Sequence, residues 1–346
     1  MATFPRDYLC TFAYLDLSVL IMKFSVSIVI PNYNGQHLLA DTIHAARKAL
    51  NTSNITDFEM IVSDDASTDD SVRLVETDFP EIIIVRSDVN TGFSGNMNRG
   101  IHRATKELVC FLNSDVQLTS AYFVPQLSLF ESPQTFGVMG AIFDQETNQA
   151  QDGAKNARIG FLRIESNKNT FSSSEQLPTM FLSGANALVR REYLQQLGGF
   201  CELFNPYYSE DVDLGLQAWR SGWKLYYQPL SICYHAQSST IKKLPNQRVR
   251  MIAKRNKHFL HFLHLPPVFN WIYLVRVFAN SLGQLFVGNT LHVKAVFAVF
   301  GALKNLQNER KSRVEKATGK TLLSVLQVKQ VIDDMTHINA KEVVHS

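Results

Sequence analysis

The chain has 346 residues, of which 45% are hydrophobic and 19% charged. That balance excludes intrinsic disorder and a collagen-like fibre, and the length accommodates one large domain with an appendage. The net charge of +3 is unevenly spread: residues 1–240 carry 17 Lys/Arg against 26 Asp/Glu, residues 241–320 carry 15 against 2, and residues 321–346 carry 2 against 3. Only the basic segment calls for an anionic partner. The four cysteines (Cys10, Cys110, Cys201, Cys233) lie far apart without a C-x-x-C pair, so neither a disulfide framework nor a zinc site is indicated and a reducing compartment fits. The sequons at Asn51 and Asn54 are then idle.

Residues 1–23 read as an N-terminal extension. Arg6, Asp7 and Asp16 interrupt its apolar stretch, which makes a poor signal peptide and a poor membrane span. The working protein is expected to begin near Met22, directly before a strong strand.

From Ser25 the pattern is α/β, with a mostly parallel sheet covered by helices. The run Val26–Ile30 predicts a strand, stopped by Pro31-Asn32-Tyr33-Asn34-Gly35. A helix follows through Leu38, Ile43, Ala46 and Leu50. Met60–Val62 is a second strand ending at Ser63-Asp64-Asp65, with a helix from about Ser71. Ile82–Val85 is a third strand, and Leu108–Leu112 a fourth, ending at Asn113-Ser114-Asp115. Three polar clusters thus fall at the carboxyl ends of apolar strands, where open α/β sheets bind ligands. Helix capping alone would account for any one of them, but not for three.

Further on, Ser183-Gly184-Ala185-Asn186 runs into apolar Ala187–Val189 and is followed by Gly198-Gly199-Phe200 and Glu210-Asp211-Val212-Asp213. A helix through Leu214, Leu216 and Trp219 is expected to end at Gly222. A strand from Lys224 is expected to stop at Pro229, and Ile232–His235 closes the block.

After about Ser239 the character changes. Seven Lys/Arg between Lys242 and Lys257 precede an apolar region, Phe259–Phe300. Its longest candidate span, Val268–Val287, holds Asn270, Arg276, Asn280 and Gln284, too polar for a comfortable transmembrane helix. Amphipathic helices on an anionic membrane surface are the preferred reading. A helical bundle packed on the core with a solvated basic face is the alternative.

Repeated carboxylates at strand ends suit cation-assisted phosphate chemistry, because hard divalent metals take carboxylates plus substrate phosphates. Asp115 is the best-placed ligand, while Asp64 and Asp65 could instead accept hydrogen bonds from a base or ribose. No P-loop and no G-x-G-x-x-G fingerprint is present.

Taken in order, these motifs resemble the inverting family-2 glycosyltransferases of GT-A fold, in particular the rhamnosyltransferase-like branch. The series runs from Val26–Asn34 through Ser63–Asp69, Asn90-Thr91-Gly92-Phe93, Asn98–Ile101, Phe111–Asp115 and Ser183–Asn186 to Gly198–Phe200 and Glu210–Leu214. The resemblance covers roughly residues 24–240 and implies a GT-A catalytic domain there, with residues 241–346 as a basic and apolar helical region. It implies Pro31 and Tyr33 in the base pocket, with Asp64, Asp65 and Asn113 on the nucleotide side. Asp115, joined by His235, would hold Mg²⁺ or Mn²⁺ against the diphosphate. Asp211 would be the general base, Glu210 would orient acceptor or base, and Gly184, Ala185 and Asn186 would line the donor and acceptor pocket.

Cys201 stands where that family commonly has Asp after Gly-Gly-Phe, Lys106 where Gly is frequent, and Asn113 replaces the first Asp of D-x-D. Without Q-x-x-R-W, transfer of one sugar is expected rather than processive synthesis.

The resemblance implies transfer from a nucleotide-sugar donor to a lipid-linked saccharide acceptor in surface polysaccharide assembly, peripheral on the cytoplasmic face of the cell membrane. The basic segment lacks a nucleic-acid-binding motif, so no nucleic acid partner is expected. Two other readings are a catalytically degenerate nucleotide-sugar or membrane-binding protein, and a sugar-nucleotide pyrophosphorylase. No Gly-rich, Arg-containing loop follows the first strand, as the last would need.

Overall fold

A computed structural model describes residues 24–171, 174–236, 246–286, 288, 290–317 and 321–342. The N-terminal extension with Cys10, the expected start near Met22, and the basic pair Lys242 and Lys243 lie outside the described residues.

The first half alternates β1 (Val26–Asn32), α1 (Gln36–Thr52), β2 (Phe58–Asp65), α2 (Ser71–Asp78), β3 (Ile83–Ser87), α3 (Gly92–Arg103) and β4 (Leu108–Leu112). The strands pair in the order β4-β1-β2-β3, all parallel. Helices cover both faces of such a sheet, which is why β1 and β4 read as unbroken apolar runs instead of alternating ones. α1 buries Leu39, Ile43, Ala46 and Leu50, one stripe at helical spacing.

The second half adds β5 (Val116–Leu118), α4 (Val124–Leu127), β6 (Thr135–Asp144), β7 (Ala150–Asp152), the hairpin of β8 (Ala154–Gly160) and β9 (Arg163–Thr170), and β10 (Leu177–Pro178). It continues with β11 (Asn186–Arg190), α5 (Arg191–Leu197), α6 (Glu210–Arg220) and β12 (Lys224–His235). The main sheet runs β10-β12-β6-β11-β4-β1-β2-β3, with β11 antiparallel to both its neighbours. The fold is therefore GT-A-like, a mixed sheet with mostly parallel strands.

Several expected boundaries shift: β1 runs on through Pro31 to Asn32, and β2 spans Phe58 to Asp65. The third strand runs to Ser87. Pro229 does not end its strand: β12 continues to His235, and its register against β6 slips between Gln228 and Ile232. A bulge tolerates a residue without an N–H, so proline marks the irregularity instead of the end.

Four further helices follow: α7 (Asn246–His264), α8 (Pro267–Phe286), α9 (Thr290–Lys316) and α10 (Val325–Glu342). Among the described residues no helix is long and apolar enough to cross a membrane. The helices share the sheet's core, because one cluster joins Phe111, Trp219 and Tyr227 to Phe259, Leu263, Val299, Leu306 and Val328.

A buried polar group fastens the same junction. Asp213, on α6, accepts hydrogen bonds from Arg313 Nη1 at 2.7 Å and Nη2 at 2.9 Å, from His264 Nε2 at 2.7 Å and from Gln217 Nε2 at 3.0 Å. Arg313 and His264 hold its carboxyl down to about 2, against the burial that would raise it.

Candidate active site

Strand register brings the predicted clusters to one edge of the sheet. Asn32 lies opposite Asp64, Asp65 opposite Ser87, Asn186 opposite Leu112, and His235 opposite Asp144. Antiparallel β11 starts where β4 ends, so Ser183-Gly184-Ala185-Asn186 reaches the same edge as Asn113-Ser114-Asp115. Asn113 N–H donates to Ala185 C=O at 3.1 Å, which joins the two loops directly.

At the β1 and β2 ends, Tyr33 is 40% exposed and Pro31 half-buried beside it. Asp64 is buried and accepts from Asn32 Nδ2 at 2.9 Å and from Ser67 N–H at 3.0 Å. Asp65 is engaged more heavily, accepting from Thr91 N–H, Thr91 Oγ1, Gly92 N–H and Arg99. Its carboxylate fixes the 90–92 turn to the sheet, so a base contact there competes with four donors.

The β4 end and the last residue of β12 converge. His235 Nε2 stands 3.1 Å from Asp115 Oδ2, and its Nδ1 lies 3.1 Å from Gln151 Oε1. Asp115 Oδ1 and Asn113 Oδ1 are both buried without a hydrogen-bond partner. Unpaired buried oxygens are costly, and a hard cation is the partner that such oxygens suit. Among the described residues no three His, Cys, Asp or Glu side chains cluster as a metal site. Asn113, Asp115 and His235 therefore fit Mg²⁺ or Mn²⁺ only as part of a set that substrate phosphates complete.

Gly184 packs against Phe93, where a Cβ would stand 2.8 Å from the ring, and Ala185 is half-buried. Asn186, by contrast, is fully buried: its Nδ2 donates to Gly140 C=O at 3.1 Å. It ties β11 to β6, and its Oδ1 is buried without a hydrogen-bond partner.

The acidic motif opens α6, and a heavily constrained loop leads into it. Tyr208 and Ser209 both have positive φ. Asn256 of α7 donates its Nδ2 to the carbonyls of Phe204, Tyr207 and Tyr208 at 2.6, 2.9 and 2.8 Å. From the other side Phe93 N–H donates to Pro206 C=O and Ser94 N–H to Asn205 Oδ1. Asn98 reads the Gly-Gly-Phe backbone, donating to Phe200 C=O and accepting from Phe200 N–H, each at 2.8 Å. At Gly199, φ is +75° and a Cβ would fall 2.4 Å from Asn98 Oδ1, which is why glycine stands there.

Glu210 is buried with Oε2 unpaired; burial and the adjacent Asp211 raise its pKa. Asp211 is half-buried, and desolvation raises its pKa too, while Lys155 works in the opposite direction. Their charge is favoured at the N-terminus of α6 by the helix dipole. Lys155, on β8, had no sequence signal. It is buried, pairs with Asp152, lies 5.6 Å from the Phe181 ring centroid and is pushed down to about 8 by burial. Cys201 is buried, and burial and Asp213 raise its thiol to about 12, so it acts as packing.

Residues 27–198 match the family described as Glycosyl transferase family 2. Over 297 residues the chain is 25% identical to the amylovoran biosynthesis glycosyltransferase AmsB of Erwinia amylovora, covering 82% of this chain and 92% of that protein. It is 23% identical to the N-acetylglucosaminyl-diphospho-decaprenol L-rhamnosyltransferase of Mycobacterium tuberculosis over 59% of this chain and 75% of that one. Among solved structures, S. aureus TarS 1-349 in complex with UDP-GlcNAc aligns with a TM-score of 0.52 at 15% identity, over 85% of this chain and 92% of that one. GalNAc-T7 with UDP, GalNAc and Mn²⁺ aligns at 0.57 and 15% identity, over 79% of this chain and 54% of that chain. Those likenesses concern the fold. The motif series assembled on one sheet edge and the match of residues 27–198 to glycosyltransferase family 2 thus fall within a chain of GT-A fold.

Proposed function

We propose that the protein is an inverting, divalent-metal-dependent glycosyltransferase that moves one sugar from a nucleotide-sugar donor to a hydroxyl of a lipid-linked saccharide. The observation that carries this reading is the meeting of Asp115 and His235, 3.1 Å apart, beside two unpartnered buried oxygens on the edge where the other motifs end.

In this reading Tyr33 stacks on the base and Asp64 accepts from it. Asn113, Asp115 and His235 would hold the metal, which as a Lewis acid offsets negative charge developing on the departing diphosphate. Asp211 takes the proton of the acceptor hydroxyl as that oxygen bonds to the anomeric carbon and the bond to the diphosphate breaks. Glu210, whose raised pKa favours a protonated carboxyl, donates a hydrogen bond that orients the acceptor or Asp211. Desolvation gives Asp211 a stronger base than a solvated carboxylate, and Lys155 limits that rise.

Relatives named for decaprenol- and undecaprenol-diphosphate substrates support a lipid-linked acceptor. The basic, apolar helices support a place on the cytoplasmic membrane surface. Rhamnose as the transferred sugar has weaker support, at 23% identity.

The test is release of nucleoside diphosphate from a panel of nucleotide sugars, with and without Mn²⁺, beside Asp115→Ala. Metal-stimulated release from one donor, lost in the variant, supports the assignment. A chain that binds no sugar nucleotide at all overturns it, and binding without turnover when acceptor is supplied points to a degenerate transferase.

A further inference from the structure

The C-terminal helices carry an apolar surface that the core does not use. α8 buries Asn270, Tyr273, Leu274, Val277 and Ser281. Its other side exposes Val268, Trp271, Val275, Phe278, Leu282 and Phe286, with Trp271 at 70% and Phe286 at 92%. Steps of three and four residues make these a stripe along the whole helix, about 27 Å at 1.5 Å per residue. Single exposed apolar residues are ordinary on a protein surface, but a contiguous stripe of this length is not.

Between α8 and α9 this face opens into a cavity of about 600 Å³ lined by Trp271, Leu274, Val275, Phe278, Phe300 and Leu303, with Arg310 and Lys311 as its cations. Arg310 donates to the carbonyls of Phe262 and Leu265 at 3.0 and 2.8 Å, whereas Lys311 beside the opening is exposed and only loosely paired, 3.8 Å from the equally exposed Glu315.

Charge selects the occupant. Asn246–Lys316 holds twelve Lys/Arg against two Asp/Glu, and Arg276, Lys304 and Lys311 are all exposed. A second copy seated on the stripe would bring like charges together around it. An anionic bilayer instead supplies hydrocarbon for the stripe and opposite charge for its margins.

We propose that α8 lies in the interfacial layer of an anionic phospholipid bilayer and that the α8/α9 groove receives a phospholipid acyl chain. This rests on the membrane reading above and assigns it a surface.

The chain's three tryptophans allow a direct test. Trp219 is buried and Trp223 is stacked on Tyr193, both in the sheet domain, whereas Trp271 stands in the stripe. The full chain is mixed with vesicles of phosphatidylcholine and phosphatidylglycerol whose acyl chains are brominated, and emission and sedimentation are followed together. Quenching is expected with the anionic vesicles and is expected to vanish in Trp271→Phe, which still sediments. Val275→Glu, at an exposed position, should weaken sedimentation about tenfold or more with an unchanged urea midpoint. Sedimentation without Trp271-dependent quenching would overturn this surface and leave the membrane reading standing. Absence of sedimentation with anionic vesicles would remove both. Self-association that Val275→Glu abolishes, without vesicle binding, would assign the stripe to a second copy and overturn the proposal.

Discussion

Replacing Arg313 by methionine removes the guanidinium that makes both oxygens of Asp213 part of a paired contact, and it does so at a site with no solvent. Asp213 is fully buried, and the Arg313 side chain is 9% exposed. The Arg313 contacts, at 2.7 and 2.9 Å, form a bidentate charge-assisted pair. Breaking a buried pair from one side costs about 3–5 kcal/mol, because the remaining charge keeps its desolvation penalty. The pKa points the same way: the carboxyl is held at about 2, below its ordinary value of 3.8, so the charged form is favoured in the folded state. A folded pKa below the unfolded one contributes stability above pH 3.8 that is lost as pH falls towards about 2. Guanidinium denaturation of wild type, Arg313→Met, Asp213→Asn and the double variant at neutral and acidic pH measures both effects. Arg313→Met should lose about 3–5 kcal/mol at neutral pH and lose less relative to wild type below pH 3, while adding Asp213→Asn should recover much of the loss. A loss under about 1 kcal/mol, or a double variant no more stable than Arg313→Met, would refute the reasoning.

Asp211→Asn should lower transfer by about 10²–10⁴-fold while nucleotide affinity stays unchanged, read by product formation and by nucleotide titration. Because burial raises the Asp211 pKa, the acid limb of the kcat/KM profile should lie above the ordinary carboxylate range, activity falling as pH drops through it. Lys155→Met should move that limb to higher pH, since Lys155 lowers the Asp211 pKa; a limb that stays still or moves down argues against their coupling. Asn256→Ala leaves three carbonyls of the 204–208 segment without their shared donor and should cost about 1–3 kcal/mol, with greater hydrogen–deuterium exchange before α6 as the accompanying sign.

Much of the β1–β4 edge was legible in the linear chain, because each element there is local. A strand, a polar stop and a helix follow one another from Val26 to Asp115, and a parallel sheet necessarily gathers successive strand ends on one edge. The same logic explains what was missed. Pro229 looks like a strand end by its missing donor, yet a bulge absorbs it once β6 supplies the neighbouring ladder. Asn186 belongs to a motif by spacing, but its burial depends on where β6 and β12 pass.

The amino-acid order by itself determined that β1 to β4 form, which polar residues end them and which segment is basic, since these follow from periodicity, turn chemistry and charge count; β5 to β10, the central β6 among them, became apparent only in the folded sheet. Only the tertiary structure decided that Asp115 meets His235, that Lys155 approaches Asp211, and that Asp213 faces Arg313 and His264 instead of solvent. Those pairings join residues many tens of positions apart. Their energies arise from desolvation, and desolvation exists only once the helices have packed on the sheet and excluded water.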